Sequence, residues 1–127
     1  MEQLRKNKEF IVSYWNALSG VTKTRPLIEK FVTDPGLIEH IEFFDAVFPK
    51  YELFADELTA EGNRVVVRGR VKGRHEGMFN GIPPTGRSVD VQACIGYEIE
   101  NGKIIHHWMI ADQMALMEQL GVLNAVS

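Results

Sequence analysis

The sequence predicts an α+β domain whose helices gather on one face of a bent antiparallel sheet. Three observations carry that prediction. Apolar residues recur at three- and four-residue spacing through the first third of the chain, whereas residues 64–75 and 87–99 alternate in polarity. Asn101-Gly102 joins the last two extended runs in the pattern of a tight type I′ hairpin. Glycines at 69, 73, 77 and 96 fall within or beside these runs, where they let long strands bend. Three helices do not fill a strongly bent sheet, so a pocket is expected between the layers.

The first helix carries Leu4, Ile11, Trp15 and Leu18 on one face, with Phe10 and Tyr14 beside them, and Gly20 stops it. A short second helix follows Thr24, with Pro26 in its first turn and Leu27, Ile28, Phe31 and Val32 as its apolar face. Asp34-Pro35 starts a third, an N-cap carboxylate followed by proline at the first helical position. Leu37, Ile38, Ile41, Phe44 and Phe48 keep helical period up to Pro49. Residues 51–59 read as extended with poor alternation. In 64–75 the odd positions are Val65, Val67, Gly69, Val71, Gly73 and His75, and the even ones from 68 onward are charged, as in a half-buried strand. Val89, Val91, Ala93, Ile95, Tyr97 and Ile99 share a face of the next strand, residues 103–111 form its hairpin partner, and a helix from Met114 to Leu120 ends at Gly121.

No repeat, low-complexity tract or linker interrupts this order, so one domain is expected over residues 1–127. The chain is 45% hydrophobic and 24% charged, with a net charge of −3. That balance gives no reason to expect nucleic acid or an anionic membrane as partner. Cys94 is the one cysteine, which excludes an internal disulfide and a Cys-x-x-Cys metal pattern and suits a reducing compartment. The charged segment MEQLRKNKEF lacks the apolar core of a signal peptide, and no apolar run reaches the ~20 residues that span a bilayer. A soluble cytoplasmic protein is the expectation.

Phosphate loops, dinucleotide fingerprints and nucleophile elbows are absent from the sequence. The informative residues are histidines and one aspartate. Alternation through 103–111 sets Ile104, His106, Trp108, Ile110 and Asp112 on one face, provided the strand stays regular, and Ile105, His107, Met109 and Ala111 on the other. An aspartate beside an aromatic at the end of an apolar face is a place where desolvation would raise its pKa and make it a better base. Asp112 also stands just before an apolar-periodic segment, and spacing alone favours it as a helix N-cap. The two roles coexist only if one oxygen caps and the other faces the pocket.

His75 continues an apolar face, where a histidine is more often a hydrogen-bonded core residue than a catalyst. His40 flanks the apolar stripe of the third helix, within reach of a pocket, and Tyr14 and Trp15 are most simply core. His106 and His107 alternate, so one of them is surface. No histidine pair is spaced to bind a metal together, so no metal is expected. Residues 77–86, with Asn80-Gly81 and Pro83-Pro84, predict a structured loop at the pocket mouth, and if that loop gates the ligand, Met78, Phe79 and Ile82 should lie within contact of the cavity.

Four blocks occur in order over residues 62–121. They are Gly73-Arg74-His75-Glu76-Gly77, Gly81-Ile82-Pro83-Pro84-Thr85-Gly86-Arg87, Gly102-Lys103-Ile104 with Trp108 and Asp112, and Gln119-Leu120-Gly121. In these the sequence resembles the SnoaL-like polyketide cyclases, small bacterial ester cyclases of the nuclear transport factor two-like superfamily. The family pattern is roughly G-T-H-x-G, G-x-P-P-T-G, G-K-I-x-x-x-W-x-x-x-D and Q-L-G. The resemblance implies a cone-shaped fold, a homodimer, no metal or cofactor, and an intramolecular aldol ring closure of a polyketide ester. It puts Asp112 at the general acid/base position and His75 beside it, lining the pocket. Arg74 replaces the usual threonine, and residues 87–99 lack the pocket histidine that the cyclases place on that strand.

The expected function is therefore a cofactor-free, aldol-type reaction on a small apolar carbonyl compound. Asp112 and His75 would be catalytic, and Trp108, His40, Tyr14, Phe79, Ile82 and His106 would line the pocket. The alternative is a non-catalytic dimeric domain of the same fold that binds a small apolar molecule. A third possibility is a ketosteroid-isomerase-like or epoxide-hydrolase-like enzyme, although no Asp/Tyr pair singles out either.

Overall fold

The computed structural model describes residues 2–122. Helices α1 (Glu2–Leu18), α2 (Arg25–Glu29) and α3 (Pro35–Val47) come first. Strands β1 (Glu52–Glu61), β2 (Arg64–Arg74), β3 (Ser88–Glu100) and β4 (Lys103–Ala111) follow, then α4 (Gln113–Gln119). Local chemistry sets the boundaries. Thr24 and Asp34 cap α2 and α3 by accepting from the backbone N–H groups of Leu27 and Gly36, and a proline opens each helix. Gly20 and Gly121 take positive φ beyond the ends of α1 and α4, and Asn101 and Gly102 both do so in the β3–β4 hairpin, as a type I′ turn requires.

The strands form one antiparallel sheet in the order β1-β2-β3-β4. Val65 and Val67 of β2 and the odd residues from Val89 to Ile99 of β3 are buried under the helices. The inner face packs at Gly69, where a Cβ would stand 2.7 Å from the Trp15 ring and 2.5 Å from the Phe54 carbonyl oxygen. Only glycine lets the indole of α1 lie this close to β2. On the opposite face Arg68 pairs with Glu57, Arg70 with Asp56 and Lys72 with Asp90, so its charges are matched between neighbouring strands.

One irregularity decides which residues face the core. Ile99 of β3 opposes Ile104, but Glu98 opposes His106, so Ile105 is an extra residue in β4. A one-residue bulge exchanges the two faces of the strand beyond it. Ile104 is fully buried, whereas beyond the bulge Met109 and Ala111 turn inward and His106, Trp108 and Ile110 turn outward.

Long straps tie the helices to the sheet. Lys103 Nζ donates to the Glu29 and Lys30 carbonyls at 2.7 and 3.0 Å, and Thr33 and Asp34 N–H donate to the Ile104 carbonyl. Gln119 exchanges two hydrogen bonds with the backbone of Asp90, which holds α4 against β3. Lys23 is buried, donating to the Val21 and Tyr51 carbonyls while lying 3.9 Å from the centre of the Tyr51 ring. Burial pulls its pKa down against the opposing pull of Asp45. No helix among the described residues is long and apolar enough to cross a membrane.

Candidate active site

Between α1, α3, α4 and the inner sheet face lies a cavity of about 120 Å³. Its walls are aliphatic and aromatic, with Phe44, Phe48, Met109 and Leu116 among them, and among the described residues no Asp, Glu, Lys or Arg lines it. Among the described residues the polar groups on its lining are the imidazole of His40, the phenols of Tyr14, Tyr51 and Tyr97, the amide of Gln113 and the indole of Trp15. Shallow grooves on the outer sheet face and at the ends of the molecule are open to solvent and lack this enclosure.

Each polar group is placed by the element that carries it. Tyr97 sits on the inner face of β3, and its hydroxyl accepts a 2.9 Å hydrogen bond from Trp15 Nε1. That bond leaves the phenol proton free to be donated, and an accepted bond makes the hydroxyl a stronger donor. Tyr14 meets Tyr97 edge-on, with ring centres 5.7 Å apart. Burial pushes the Tyr14, Tyr51 and Tyr97 phenols well above their ordinary pKa, so all three remain O–H donors at neutral pH.

His40, midway along α3, stands edge-on to Phe44 with ring centres 4.6 Å apart. Burial lowers its pKa to about 4, assisted by the charge of His107. The imidazole is therefore neutral at pH 7 and free to accept a proton. Beside it, His107 Nδ1 lies 2.7 Å from Asp34 Oδ2 in a largely buried pair. Burial works to raise the Asp34 pKa. The His107 bond and charge, with the Gly36 and Leu37 backbone N–H groups, outweigh it and hold the carboxyl below its usual range.

The structure brings together some of the residues singled out by the sequence and separates others. Tyr14 and His40 line the cavity. Trp108 and His106 do not, because the Ile105 bulge turns them outward. Trp108 is 49% exposed and lies across Gly96, where a Cβ would stand 2.1 Å from the indole. Asp112 is an exposed N-cap for α4 and accepts from Ala115 N–H at 3.0 Å. It shares the outward parity of Trp108, although its neighbours Ala111 and Gln113 both line the cavity.

His75 is fully buried but stands behind Phe48, at a ring distance of 5.7 Å, rather than on the wall. Its Nδ1 accepts from Thr85 N–H at 3.1 Å, which leaves the ring proton on Nε2, where it has no partner. Phe79 is buried against Phe44 and Phe48, and Ile82 pairs with Phe79 in the same loop, so both back the wall without lining it. Met78 points outward and is 59% exposed. Among the described residues no group of three or more His, Cys, Asp or Glu is placed to hold a metal ion.

Sequence reasoning missed Tyr51 and the Asp34–His107 pair, and it treated Tyr97 and Trp15 as plain core. Tyr97 did carry a signal, as the single phenol in an otherwise aliphatic inner face of its strand.

A family model described as SnoaL-like polyketide cyclase matches residues 30–120. No curated protein matches the chain. Among solved structures, AclR, a candidate hydroxylase from Streptomyces galilaeus, superposes with a TM-score of 0.82 at 23% identity, covering 98% of this chain and 86% of that one. A candidate SnoaL-like polyketide cyclase from Jannaschia sp. CCS1 gives 0.79 at 23% identity, with 94% of each chain covered. IdmH, a candidate polyketide cyclase from Streptomyces antibioticus, gives 0.74 at 21% identity, with 91% and 99% covered. These structures share the fold.

Proposed function

The chain belongs to the SnoaL-like polyketide cyclase family, and from that premise we propose that it catalyses a cofactor-free proton transfer with ring closure on a small, uncharged carbonyl compound inside the apolar cavity. The observation that carries this reading is that one imidazole and three phenols line the same cavity, whose walls among the described residues carry no Asp, Glu, Lys or Arg, with burial keeping the imidazole neutral. Such walls disfavour a carboxylate or phosphate ligand, which would lose its hydration without gaining a counter-charge.

In the reaction, His40 takes a proton from a carbon next to a carbonyl. The electron pair moves onto the carbonyl oxygen, where a phenol O–H of Tyr97 or Tyr14 stabilises the enolate. The enolate carbon then attacks a second carbonyl of the same molecule, forming a C–C bond and an alkoxide. The imidazolium of His40 returns its proton to that alkoxide, so atoms and charge balance without an added reagent. An imidazole with a low pKa is a weak base toward a neutral ligand, but the negative charge that develops beside it raises its proton affinity as the reaction proceeds. Exclusion of water strengthens each of these interactions.

A second reading keeps Asp112 as the acid/base. It rests on the family pattern and on the position of Asp112 between two cavity-lining residues. Under that reading Asp112 Oδ1 stays on the cap and the other oxygen turns toward the cavity.

Binding of 2-indanone, a neutral enolisable ketone, tests the common ground of both. Titration followed by NMR should shift the resonances of Tyr97, Met109 and Leu116, while indane-2-carboxylate should leave them in place. Tight binding of the carboxylate at these residues, or no binding of the ketone, would remove the uncharged-substrate reading.

A further inference from the structure

Resting on the reading of His40 as proton carrier, we propose that the Asp34–His107 pair is a positioning device for His40, clamping the first turn of α3 onto β4 so that the imidazole stands at a set depth in the cavity. The geometry is specific. Asp34 uses its two carboxylate oxygens for two tasks: Oδ1 accepts from Gly36 N–H and caps the helix, while Oδ2 binds His107 Nδ1 at 2.7 Å. The carboxylate has no proton to give, so His107 donates from Nδ1 and its ring orientation is fixed.

One carboxylate thus joins the N-terminus of the helix that bears His40 to the strand that bears Met109 and Ala111 of the opposite wall. The backbone repeats the join, because Thr33 and Asp34 N–H both donate to the Ile104 carbonyl. His40 follows six residues after Asp34 on a helix that continues to Val47, so a shift of the first turn is transmitted along the helix to the imidazole.

Among the groups around His40, His107 is the one whose charge acts on the imidazole. Tyr14 from α1, Tyr51 before β1 and Tyr97 from β3 share the cavity with it as uncharged phenols. On α3 itself Glu39 is exposed and Glu42 is taken up by Arg25 at 2.8 Å. Nothing in the capping role of Asp34 requires a histidine at 107, and nothing in the strand role of His107 requires a carboxylate at 34. Their pairing beside the one imidazole of the cavity is what the proposal explains.

The test compares three variants of the full chain. Asp34→Asn keeps a capping oxygen but loses the carboxylate, and His107→Gln removes the imidazole. Lys103→Met cuts a different strap, the bonds to the Glu29 and Lys30 carbonyls, which lie away from the cavity. The readouts are the titration midpoint of the His40 imidazole by NMR and the rate of deuterium exchange into 2-indanone. Asp34→Asn, which keeps the His107 imidazole, should raise the midpoint from about 4 toward the ordinary histidine value of about 6.5, and both pair variants should slow exchange about tenfold or more; a midpoint rise in His107→Gln alone reports only the loss of the His107 charge. Lys103→Met should lower the melting temperature while leaving the midpoint and the exchange rate in place.

An unchanged His40 midpoint in Asp34→Asn, or an unchanged exchange rate in both pair variants of an active protein, would overturn the proposal. So would an equal change in Lys103→Met, which would mark general loosening. The midpoints are read without substrate, so they judge the clamp even if the wild-type protein exchanges no ketone proton, a result that would instead count against His40 as proton carrier.

Discussion

Gly69→Ala should disturb the site from behind, through a contact that leaves no polar trace in the sequence. The added Cβ would stand 2.7 and 2.8 Å from two atoms of the Trp15 six-membered ring and 2.5 Å from the Phe54 carbonyl oxygen. Neither strand backbone can give way cheaply, so the indole must move. Overpacking of this kind costs about 1–3 kcal/mol. Movement of Trp15 also breaks its 2.9 Å bond to the Tyr97 hydroxyl, and a buried polar group left without its partner costs about 1–3 kcal/mol. The two costs overlap because one displacement causes both, so the expected loss is about 2–4 kcal/mol. For a chain of this length, about 4 °C per kcal/mol gives a fall in Tm of roughly 8–16 °C.

Circular dichroism melts of wild type, Gly69→Ala, Trp15→Phe and the double variant form the assay. Phenylalanine lacks the far ring atoms that the new Cβ would strike, so alanine at 69 should cost less in the Trp15→Phe background. The clash with the Phe54 carbonyl oxygen should remain. A coupling of about 1 kcal/mol or more is expected between the two sites. A Gly69→Ala protein that melts within a degree or two of wild type, or strictly additive variants, would refute the packing argument.

Other outcomes follow from the same contacts. Asp112→Ala should cost about 1 kcal/mol through loss of the α4 cap, and Asp112→Asn almost nothing, as thermal melts will read. Two pH windows should separate in unfolding experiments. The fold lowers the pKa of His40, so below about 6.5 the unfolded chain takes up the proton first and stability falls until the folded imidazole protonates near 4, by roughly 3 kcal/mol. His40→Gln should flatten that window. Asp34 is also held low, so its contribution is present above the ordinary carboxylate range and is lost as pH falls further, a loss that Asp34→Asn should remove. The outer sheet face, with Trp108 49% and Ile110 69% exposed, is the expected seat of a two-fold dimer. Light scattering at micromolar concentration should give twice the chain mass and fall to one chain mass with Ile110→Lys, whereas a wild-type monomer would remove this expectation.

Most of the architecture is legible in the sequence because it rests on local chemistry. Thr24, Asp34 and Asp112 cap helices from positions where their residue types imply it, and Asn101-Gly102 makes the turn that its φ preferences demand. The family blocks carry strap and turn chemistry as well. Gln119 binds the Asp90 backbone, Lys103 pins the end of α2, and Thr85 holds His75. The site was less legible for one physical reason. Period-two reasoning holds only while a strand stays regular, and Ile105 breaks β4 near its start. Ile104 faces the core as alternation predicts, but Trp108 and His106, on the same parity, face outward. His107 turns inward to a partner 73 residues away, which no local pattern encodes. Tyr51, which lies outside any regular element, reaches the cavity only through the tertiary fold.

The most direct test of the account is deuterium exchange into 2-indanone by wild type, His40→Gln and Asp112→Asn at pH 7, followed by proton NMR of the ketone. Proton transfer by a neutral imidazole inside the cavity predicts accelerated exchange by wild type and a loss of about a hundredfold or more in His40→Gln. Asp112→Asn, which keeps its cap, should exchange at nearly the wild-type rate. Full activity in His40→Gln with loss in Asp112→Asn would contradict the account and move the chemistry to the rim of the cavity.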